Sequence, residues 1–415
     1  MYYILFLVYY TACLYFIANN TFFKKSNISK RNLFILFTLK IAAGFAYAYY
    51  FSLPSQINTS DTWLYFNESL VETEKLLHNP KLFFSELCYN QYANNSGLFI
   101  GVNSFWNDLK TTVFVKVLAV LNLISFKNYY INLIFFNLFV FYGCIALYKL
   151  VSAYFEIKNW ILIVSIFLLP GFLFWSSGLH KDGIIFSCIG LVLYYYNLQL
   201  NQSISIKKIS IILFFITITF LLRNYILLAL LPVLLAWFCS TKLKIKPIIA
   251  FASIMLLCLT IFFFSNSLNI TQSIGSSIVQ KHHEFQKLDG KTKITTPPLN
   301  NSTKSLLNYF PFAIKTSLIQ PIPSKNYGLA FNLSSFENYF YILLGLVSLF
   351  FMSSQKINSP LLLSFVFITF FLLLFIGYTV CFSGAIVRYR SIMLPFVILP
   401  SILLIFGKFK PKNYS

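Results

Sequence analysis

The sequence predicts an all-α polytopic membrane protein with about eleven transmembrane helices and two large extracytoplasmic loops. Three observations support this class. Of the 415 residues, 58% are apolar and only 10% are charged, which is too few charges for a water-soluble domain of this length. The apolar residues form stretches of roughly 15–20 residues, close to the length that crosses ~30 Å of hydrocarbon. Many of the lysines lie in short loops between these stretches.

The predicted helices are taken in chain order from the apolar stretches. They cover residues 2–19, 33–51, 130–149, 159–177, 183–200, 208–222, 225–240, 248–266, 337–354, 361–379 and 391–407. The stretch at 1–18 lacks a basic amino-terminal region and a small-residue cleavage site, so we expect it to be helix 1 rather than a signal peptide. Polar residues interrupt the series at 52–129, a first outer loop with interfacial helices, and at 267–336, a second outer loop. The whole chain, 1–415, is predicted to be one integral membrane domain.

Whether the stretch Thr111–Phe126 crosses the membrane determines on which side all later loops lie. It is apolar but short and contains Lys116, so we interpret it as an interfacial or re-entrant helix. The amino terminus then lies outside and the carboxyl terminus in the cytoplasm. On that topology the inner loops contain one of the 11 acids, Glu156, and 15 of the 32 basic residues. These basic residues are Lys24, Lys25, Lys30, Arg31, Lys149, Lys158, Lys207, Lys208, Lys242, Lys244, Lys246, Lys356, Lys408, Lys410 and Lys412.

The same distribution bears on partners and location. The net charge of +21 could suggest nucleic acid, but lysines in short inner loops are what the positive-inside rule requires, so we expect no nucleic-acid partner. The excess of Lys, Asn, Ile, Phe and Tyr favours an AT-rich genome and a bacterial plasma membrane. The seven scattered cysteines predict neither a disulfide framework nor a metal site.

Asp61 is the first candidate catalytic residue. It lies in the aromatic run 58–66, and a carboxylate beside rings that stack on sugars could deprotonate a sugar hydroxyl. The alternative is that Ser60 or Asp61 only caps the amphipathic helix that follows.

The turn between helices 4 and 5 contains three ionisable residues in succession. Charges at the hydrocarbon edge are costly unless they are paired or hydrated, and the preceding Ser-Ser-Gly already meets the needs of a turn. We therefore predict that His180 and Asp182 relay protons and that Lys181 binds phosphate. The alternative is a Lys181–Asp182 pair that caps helix 5.

The arginines are few and unusually placed. Three of the four, Arg223, Arg388 and Arg390, lie at predicted outer helix edges, where topology does not require positive charge. A guanidinium group matches phosphate oxygens with a planar pair of donors. We predict that these arginines, with Tyr389, bind the phosphate of a lipid-linked substrate. The alternative for them, as for Lys40 and Lys116, is snorkelling to lipid headgroups.

Several of these motifs resemble a known family. They are Pro-Gly-Phe-Leu-Phe-Trp-Ser-Ser-Gly-x-x-Lys-Asp at 170–182, the Arg223 motif, Gln320-Pro-Ile-Pro followed by Glu337, and Arg388-Tyr-Arg. In this order they resemble the GT-C-type superfamily of polyprenyl-phosphate-dependent glycosyltransferases and, more loosely, O-antigen-type repeat-unit polymerases. The resemblance implies an extracytoplasmic active site, an isoprenoid-linked sugar donor and an acid in the first large outer loop that acts as base. Asp61 matches that acid, but it follows helix 2 rather than helix 1, and no Asp-x-Asp accompanies it.

The resulting prediction is a membrane glycosyltransferase that transfers sugars from a polyprenyl-(pyro)phosphate carrier during cell-surface polysaccharide assembly in the cell envelope. Its partners would be membrane lipid, the polyprenyl-linked donor and a glycan acceptor. No cofactor is predicted, and no residue pattern supports a divalent metal. The alternatives are a flippase of lipid-linked glycans, a repeat-unit polymerase of the O-antigen type and a non-catalytic assembly protein.

Overall fold

The computed structural model describes residues 2–54, 56–57, 60–89, 104–264, 273–325 and 327–410. Apart from a two-residue antiparallel ladder of β1 (Phe155–Glu156) and β2 (Lys408–Phe409), the regular elements in these ranges are helical. The start of the aromatic run (58–59) and the end of predicted helix 8 (265–266) lie outside them.

Ten helices form the first half of the chain. They are α1 (Tyr2–Asn19), α2 (Thr21–Lys24), α3 (Lys30–Ser52), α4 (Asp61–His78), α5 (Pro80–Ser85), α6 (Phe105–Ser125), α7 (Tyr129–Tyr154), α8 (Asn159–Phe167), α9 (Pro170–Ser177) and α10 (Lys181–Asn201). Ten more follow. They are α11 (Ile206–Arg223), α12 (Leu227–Thr241), α13 (Pro247–Phe264), α14 (Ile274–Lys287), α15 (Thr303–Ile319), α16 (Leu329–Ser348), α17 (Ser354–Ile357), α18 (Pro360–Thr379), α19 (Ser383–Ser391) and α20 (Leu394–Phe406).

Eight helical segments in the described ranges are long and apolar enough to cross a membrane, or up to ten if two bent pairs each count as one span. The predicted all-helical architecture, with several apolar helices of membrane-spanning length, is therefore confirmed. The helices α7 and α18 are buried over most of their length, whereas few residues of α1, α13 and α16 are buried. An apolar helix that is exposed on one side and packed on the other suits a bundle whose outer surface faces lipid.

Two apolar segments bend sharply. The chain bends by 51° between α8 and α9, where Pro170 opens α9, and by 64° between α19 and α20, where Pro395 lies in the first turn of α20. Proline lacks the amide hydrogen that a continuing helix needs, so it is tolerated at a helix start. The prediction of a continuous helix at 159–177 was therefore wrong, whereas the predicted helix 391–407 corresponds to α20. Arg388 and Arg390 lie on a short helix of their own, not in the approach to a long one.

The helical run Ile206–Thr241, counted as one of the eight segments, reverses direction at a 3-10 turn, Asn224–Ile226. Arg223 pairs with Asp182 at the first turn of α10, and the Tyr196 hydroxyl near the other end of α10 donates to the carbonyl of Leu234 at 2.7 Å. Both α11 and α12 therefore lie along α10 and run in opposite directions. We call the end of the bundle that contains Asp182 the site end.

Close packing in the centre depends on small residues. A Cβ at Gly143 of α7 would lie 2.4 Å from Cα of Ser187 in α10, so only glycine allows this approach. Small residues at helix contacts are typical of membrane bundles, where dispersion rather than the hydrophobic effect holds helices together.

The first polar segment folds as a helical hairpin. Lys116 of α6 lies 2.5 Å from Glu72 of α4 and 2.8 Å from Glu86, and Lys75 pairs with the same two carboxylates. Lys116 is buried and does not snorkel. Two lysines and two glutamates satisfy one another, so the network joins α4 to α6 at low electrostatic cost.

The second polar segment is more helical than the sequence suggested. It contains α14 and α15, and α16 begins at Leu329, eight residues before the predicted start of helix 9. Besides the packing of α14 and α15 on α18, a backbone bridge connects it to the bundle, in which the Ile294 amide donates to the Cys381 carbonyl at 2.8 Å. This contact holds the segment against the start of α19.

Candidate functional site

The candidate site lies where the ends of α4, α10, α11 and α19 meet. Asp61 is the first residue of α4, and its position is set by its neighbours. The Thr62 hydroxyl donates to the Leu179 carbonyl at 3.0 Å and hydrogen-bonds the Tyr129 hydroxyl at 2.8 Å. The Trp63 indole donates to the Ala48 carbonyl at 3.2 Å. Three separate elements therefore fix the start of α4.

Ser60 caps α4, because its hydroxyl accepts the Trp63 amide at 3.5 Å. The simpler interpretation of this stretch, a capped helix, is thus satisfied by Ser60 alone. It leaves the carboxylate of Asp61 available for other contacts.

Side chains of α3 and α7 hold the end of α9 and the turn that connects it to α10. Lys40 of α3 is 2% exposed, and its ammonium donates to the hydroxyls of Ser176 at 2.8 Å and Ser177 at 3.1 Å. The Asn137 amide donates to the Ser177 carbonyl at 2.8 Å. A Cβ at Gly178 would lie 2.1 Å from the Tyr47 ring. These contacts fix the backbone of the turn and therefore the position of His180, which follows it.

His180 connects the two candidate acids. Its Nδ1 lies 3.0 Å from Oδ2 of Asp182, and its Nε2 lies 3.4 Å from Oδ2 of Asp61. The ring also caps α10, since Nδ1 is 3.3 Å from the Asp182 amide nitrogen. An imidazole between two carboxylates is suited to hold or pass a proton between them.

Asp182 is the buried centre of the cluster, with a fully buried side chain. Its Oδ1 contacts Arg223, and its Oδ2 accepts from Nε of Arg388 at 3.3 Å. The alternative in which Lys181 pairs with Asp182 is not what the structure contains, because two guanidinium groups and His180 occupy this carboxylate.

Arg388 bridges all three predicted catalytic residues. Besides Asp182, it donates to Oδ2 of Asp61 at 2.6 Å and contacts Nε2 of His180. It also lies 5.9 Å from the Trp175 ring centroid. A planar fork with five donors can serve several acceptors at once, which an ammonium cannot do in a fixed geometry.

Asp61 is the exposed acid of the pair, with 37% of its side chain accessible. Burial alone would raise the pKa of Asp61, but the hydrogen bond with His180 and the charge of Arg388 outweigh it and hold the pKa below its usual range. The carboxylate is therefore ionised at neutral pH. It faces the open side of the site with its charge balanced by Arg388.

Aromatic rings surround the cations. Arg223 donates to the Tyr225 hydroxyl at 2.7 Å and lies 4.6 Å from the Tyr389 ring centroid. The Tyr65 ring centroid is 5.9 Å from that of His180. Tyr389 was predicted to bind phosphate. In the structure its ring contacts the guanidinium group of Arg223 by a cation–π interaction.

Two predicted binding residues lie apart from the carboxylates. Lys181 donates to the Thr111 hydroxyl at 2.9 Å. Arg390 donates to the carbonyls of Ser317 at 3.0 Å, Leu318 at 3.3 Å and Gln320 at 2.8 Å, so it caps the carboxyl end of α15. A cation suits that end because the carbonyls there lack intrahelical partners. In this structure Arg390 therefore stabilises the carboxyl end of α15.

A second polar contact lies near Arg390. The Gly171 amide, in the first turn of α9, donates to the Glu337 carboxylate at 2.9 and 3.1 Å, and the Tyr341 hydroxyl donates to it at 2.6 Å. Glu337 therefore caps α9 from α16. The same helix leads to His180, so this contact supports the turn from its far end.

Within the described ranges, no group of three or more His, Cys, Asp or Glu side chains is arranged to hold a metal ion. The carboxylates of Asp61 and Asp182, which would be the obvious oxygen ligands, are engaged by Arg388 and Arg223. The residues present therefore favour cationic side chains as the partners of these acids.

Comparisons with protein-family models, with curated proteins and with solved structures found no match. What is said of function consequently depends on the geometry of the site. The sequence analysis named Lys40 only as a lysine that could snorkel, because hydropathy does not reveal which helix face a lysine occupies. Its position within an apolar helix was the available signal, but its serine partners could not be predicted.

Proposed function

We propose that this protein is a membrane glycosyltransferase that transfers a sugar from a polyprenyl-(pyro)phosphate carrier to a glycan acceptor. One observation supports it above the others: a single guanidinium, that of Arg388, contacts Asp61, His180 and Asp182 at one end of a bundle of apolar helices. A polyprenyl carrier is an amphiphile with a phosphate at the headgroup plane and a tail in lipid. Its enzyme needs charged groups at a bundle end and apolar helix surfaces beneath them.

The acceptor hydroxyl forms the new bond to the anomeric carbon while the bond from that carbon to the phosphate oxygen breaks. The electron pair of the broken bond leaves with the phosphate. Asp61, exposed and ionised, accepts the hydrogen bond of the incoming hydroxyl and orients it. Because its pKa is low, Asp61 is a weak base, and His180 at 3.4 Å takes the proton. Nearby cations stabilise the charge that develops on the phosphate.

The proposed topology has eleven membrane crossings. The amino terminus and the site end lie outside, and the carboxyl terminus lies in the cytoplasm. The count follows if both bent pairs cross and if α11 and α12 cross separately. The excess of lysine in the loops opposite the site end supports this orientation. The proposed location is a bacterial plasma membrane.

Cys88 offers a direct test of sidedness, because it is exposed and four of the other six cysteines are buried. We expect a membrane-impermeant maleimide to label Cys88 on intact cells, and Cys88→Ser to abolish that labelling. A cysteine introduced at Lys244 on the Cys88→Ser background should react only after the cells are opened. Labelling of position 244 but not of Cys88 in intact cells would invert the proposed orientation.

The function is tested with Asp61→Asn as the only copy of the gene. We expect about tenfold to a hundredfold less polysaccharide and a matching rise of lipid-linked precursor on the outer leaflet, because the acceptor hydroxyl is no longer oriented by a carboxylate. Glu74→Gln, which removes an exposed acid from the same helix, is the matched control and should leave the product unchanged.

The readout also separates the alternatives. Unchanged product from Asp61→Asn would reject a catalytic role for this site. Precursor that accumulates on the inner leaflet would instead identify a flippase. A product that keeps its amount but becomes a single repeat unit would identify the repeat-unit polymerase.

A further inference from the structure

Two lysines beside the site, Lys110 and Lys181, make no direct ion pair with a carboxylate in the part of the chain that the structure describes. Lys181 is 5% exposed; its ammonium donates to Thr111 and lies 4.7 Å from the Tyr65 ring centroid. Lys110 immediately precedes Thr111 on α6. Among the residues that the structure describes, neither lysine has a carboxylate oxygen within 4 Å. A buried ammonium with only a hydroxyl and a ring as partners is costly, so the site favours an anion here.

The other cations nearby are already engaged. Arg223 contacts Asp182, Arg388 contacts Asp61 and Asp182, and Lys281 of α14 lies 3.5 Å from Glu284. The sequence had favoured Lys181 and the arginines as phosphate ligands. The contacts assign Arg223 and Arg388 to carboxylates, so Lys110 and Lys181 are the cations beside the site, among the described residues, that remain available for a ligand.

We propose that Lys110 and Lys181 form an anion subsite that binds the phosphate group of an isoprenoid-linked substrate. The identity of the lipid rests on the proposed function, whereas the subsite follows from the contacts of Lys181 and from the position of Lys110 next to Thr111 on α6. Tyr65 borders both Lys181 and His180, so a phosphate held by the lysines lies next to the groups that take the proton. Two ammonium groups from different elements, α6 and α10, can contact different oxygens of one phosphate or diphosphate.

The charges around Lys110 make binding sensitive to pH. Burial, together with the charges of Lys281 and Arg223, lowers the pKa of Lys110 to about 8, while Glu284 and Asp108 oppose that shift. Lys181 is flanked by Lys110 and Arg223 on one hand and by Asp61, Asp182 and Glu68 on the other. A bound phosphate favours protonated Lys110, so affinity should fall as pH rises through 8 and Lys110 loses its proton.

The test uses the full-length protein in phosphatidylcholine nanodiscs with geranylgeranyl diphosphate as the probe. We expect Lys110→Gln and Lys181→Gln each to weaken binding by about tenfold or more, since each removes a charge-assisted hydrogen bond. Wild-type affinity should weaken by about tenfold or more between pH 7 and pH 9, and Lys110→Gln should lose the part of that dependence that Lys110 contributes. Lys304→Gln, which removes an exposed lysine from the second polar segment, is the matched control and should bind like wild type.

Each other outcome is informative. Folded Lys110→Gln and Lys181→Gln variants that bind the probe like wild type would overturn the subsite, most clearly if Arg223→Lys abolished binding instead. Inorganic diphosphate that competes as well as the isoprenoid probe would overturn a lipid-linked ligand. An Asp61→Asn variant that binds the probe but transfers no sugar supports the subsite and the function separately. If the wild-type protein binds the probe but never transfers sugar, the proposed function is rejected and the anion subsite is retained.

Discussion

Replacing Asp182 with alanine is expected to destabilise the protein by about 3–5 kcal/mol, the usual cost of removing one member of a buried ion pair. The side chain of Asp182 is fully buried, and its two oxygens contact Arg223, Arg388 and His180. Without it, two guanidinium groups face each other at the site end with only Asp61 to balance them. Thermal unfolding of purified protein in a fixed detergent measures the effect as a fall in Tm.

Glu74→Ala is the control for Asp182→Ala. Glu74 is also an acid that pairs with a lysine, but both partners are largely exposed, so solvent and salt screen the interaction. Its Tm should remain close to that of wild type. Equal Tm values for Asp182→Ala and wild type would mean that water already hydrates the two arginines, and the buried cluster as described would be incorrect.

The sequence predicted the members of this cluster better than their roles. Asp61, His180, Asp182, Arg223 and Arg388 were identified because polar residues at the edges of apolar stretches need a reason to be there. Their pairing could not be predicted, since it depends on how the ends of four helices meet. The arginines were expected to face a phosphate, and the structure places carboxylates against them.

Arg388 and Arg390 illustrate what hydropathy cannot resolve. The two residues were assigned one role because they precede an apolar run. In fact they lie on α19, and two positions along a helix are separated by about 200°, so their side chains point to opposite sides. Arg388 reaches the carboxylates, whereas Arg390 reaches the carboxyl end of α15. The helical conformation of Ser383–Ser391, which the sequence did not reveal, therefore produces this division.

Buried lysines were the other source of error. Lys40 and Lys116 were expected to snorkel, because a long stem on an apolar helix commonly does so. Lys116 instead meets two glutamates, and Lys40 meets two serine hydroxyls. Each partner lies on an element distant in sequence, and tertiary contacts of this kind have no periodic pattern to detect.

Replacing Arg388 with lysine is expected to lower sugar transfer by about a hundredfold to a thousandfold, a loss comparable to removing an oriented donor from an active site. The positive charge remains, but one ammonium cannot contact Asp61, His180 and Asp182 in the geometry that the guanidinium fixes. Steady-state kinetics with a lipid-linked donor should show the loss mainly in kcat. Arg390→Lys, two residues away on the same helix, is the matched control, because an ammonium can still donate to the carbonyls at the end of α15.

The pH profile of Arg388→Met distinguishes a catalytic effect from damage to the fold. The hydrogen bond with His180 and the charge of Arg388 together hold the pKa of Asp61 below its usual range, so in wild type Asp61 stays ionised until well below the ordinary range of an aspartate, about 4, and adds no acidic limb to the profile above that range. With Arg388 neutralised, burial raises the pKa of Asp61, and the acidic limb of the profile should move to higher pH. A merely structural residue would lower transfer equally at every pH. If the acidic limb of the Arg388→Met profile coincides with that of wild type, Arg388 does not control the ionisation of Asp61. The proposed role of this pair in the reaction would then be rejected.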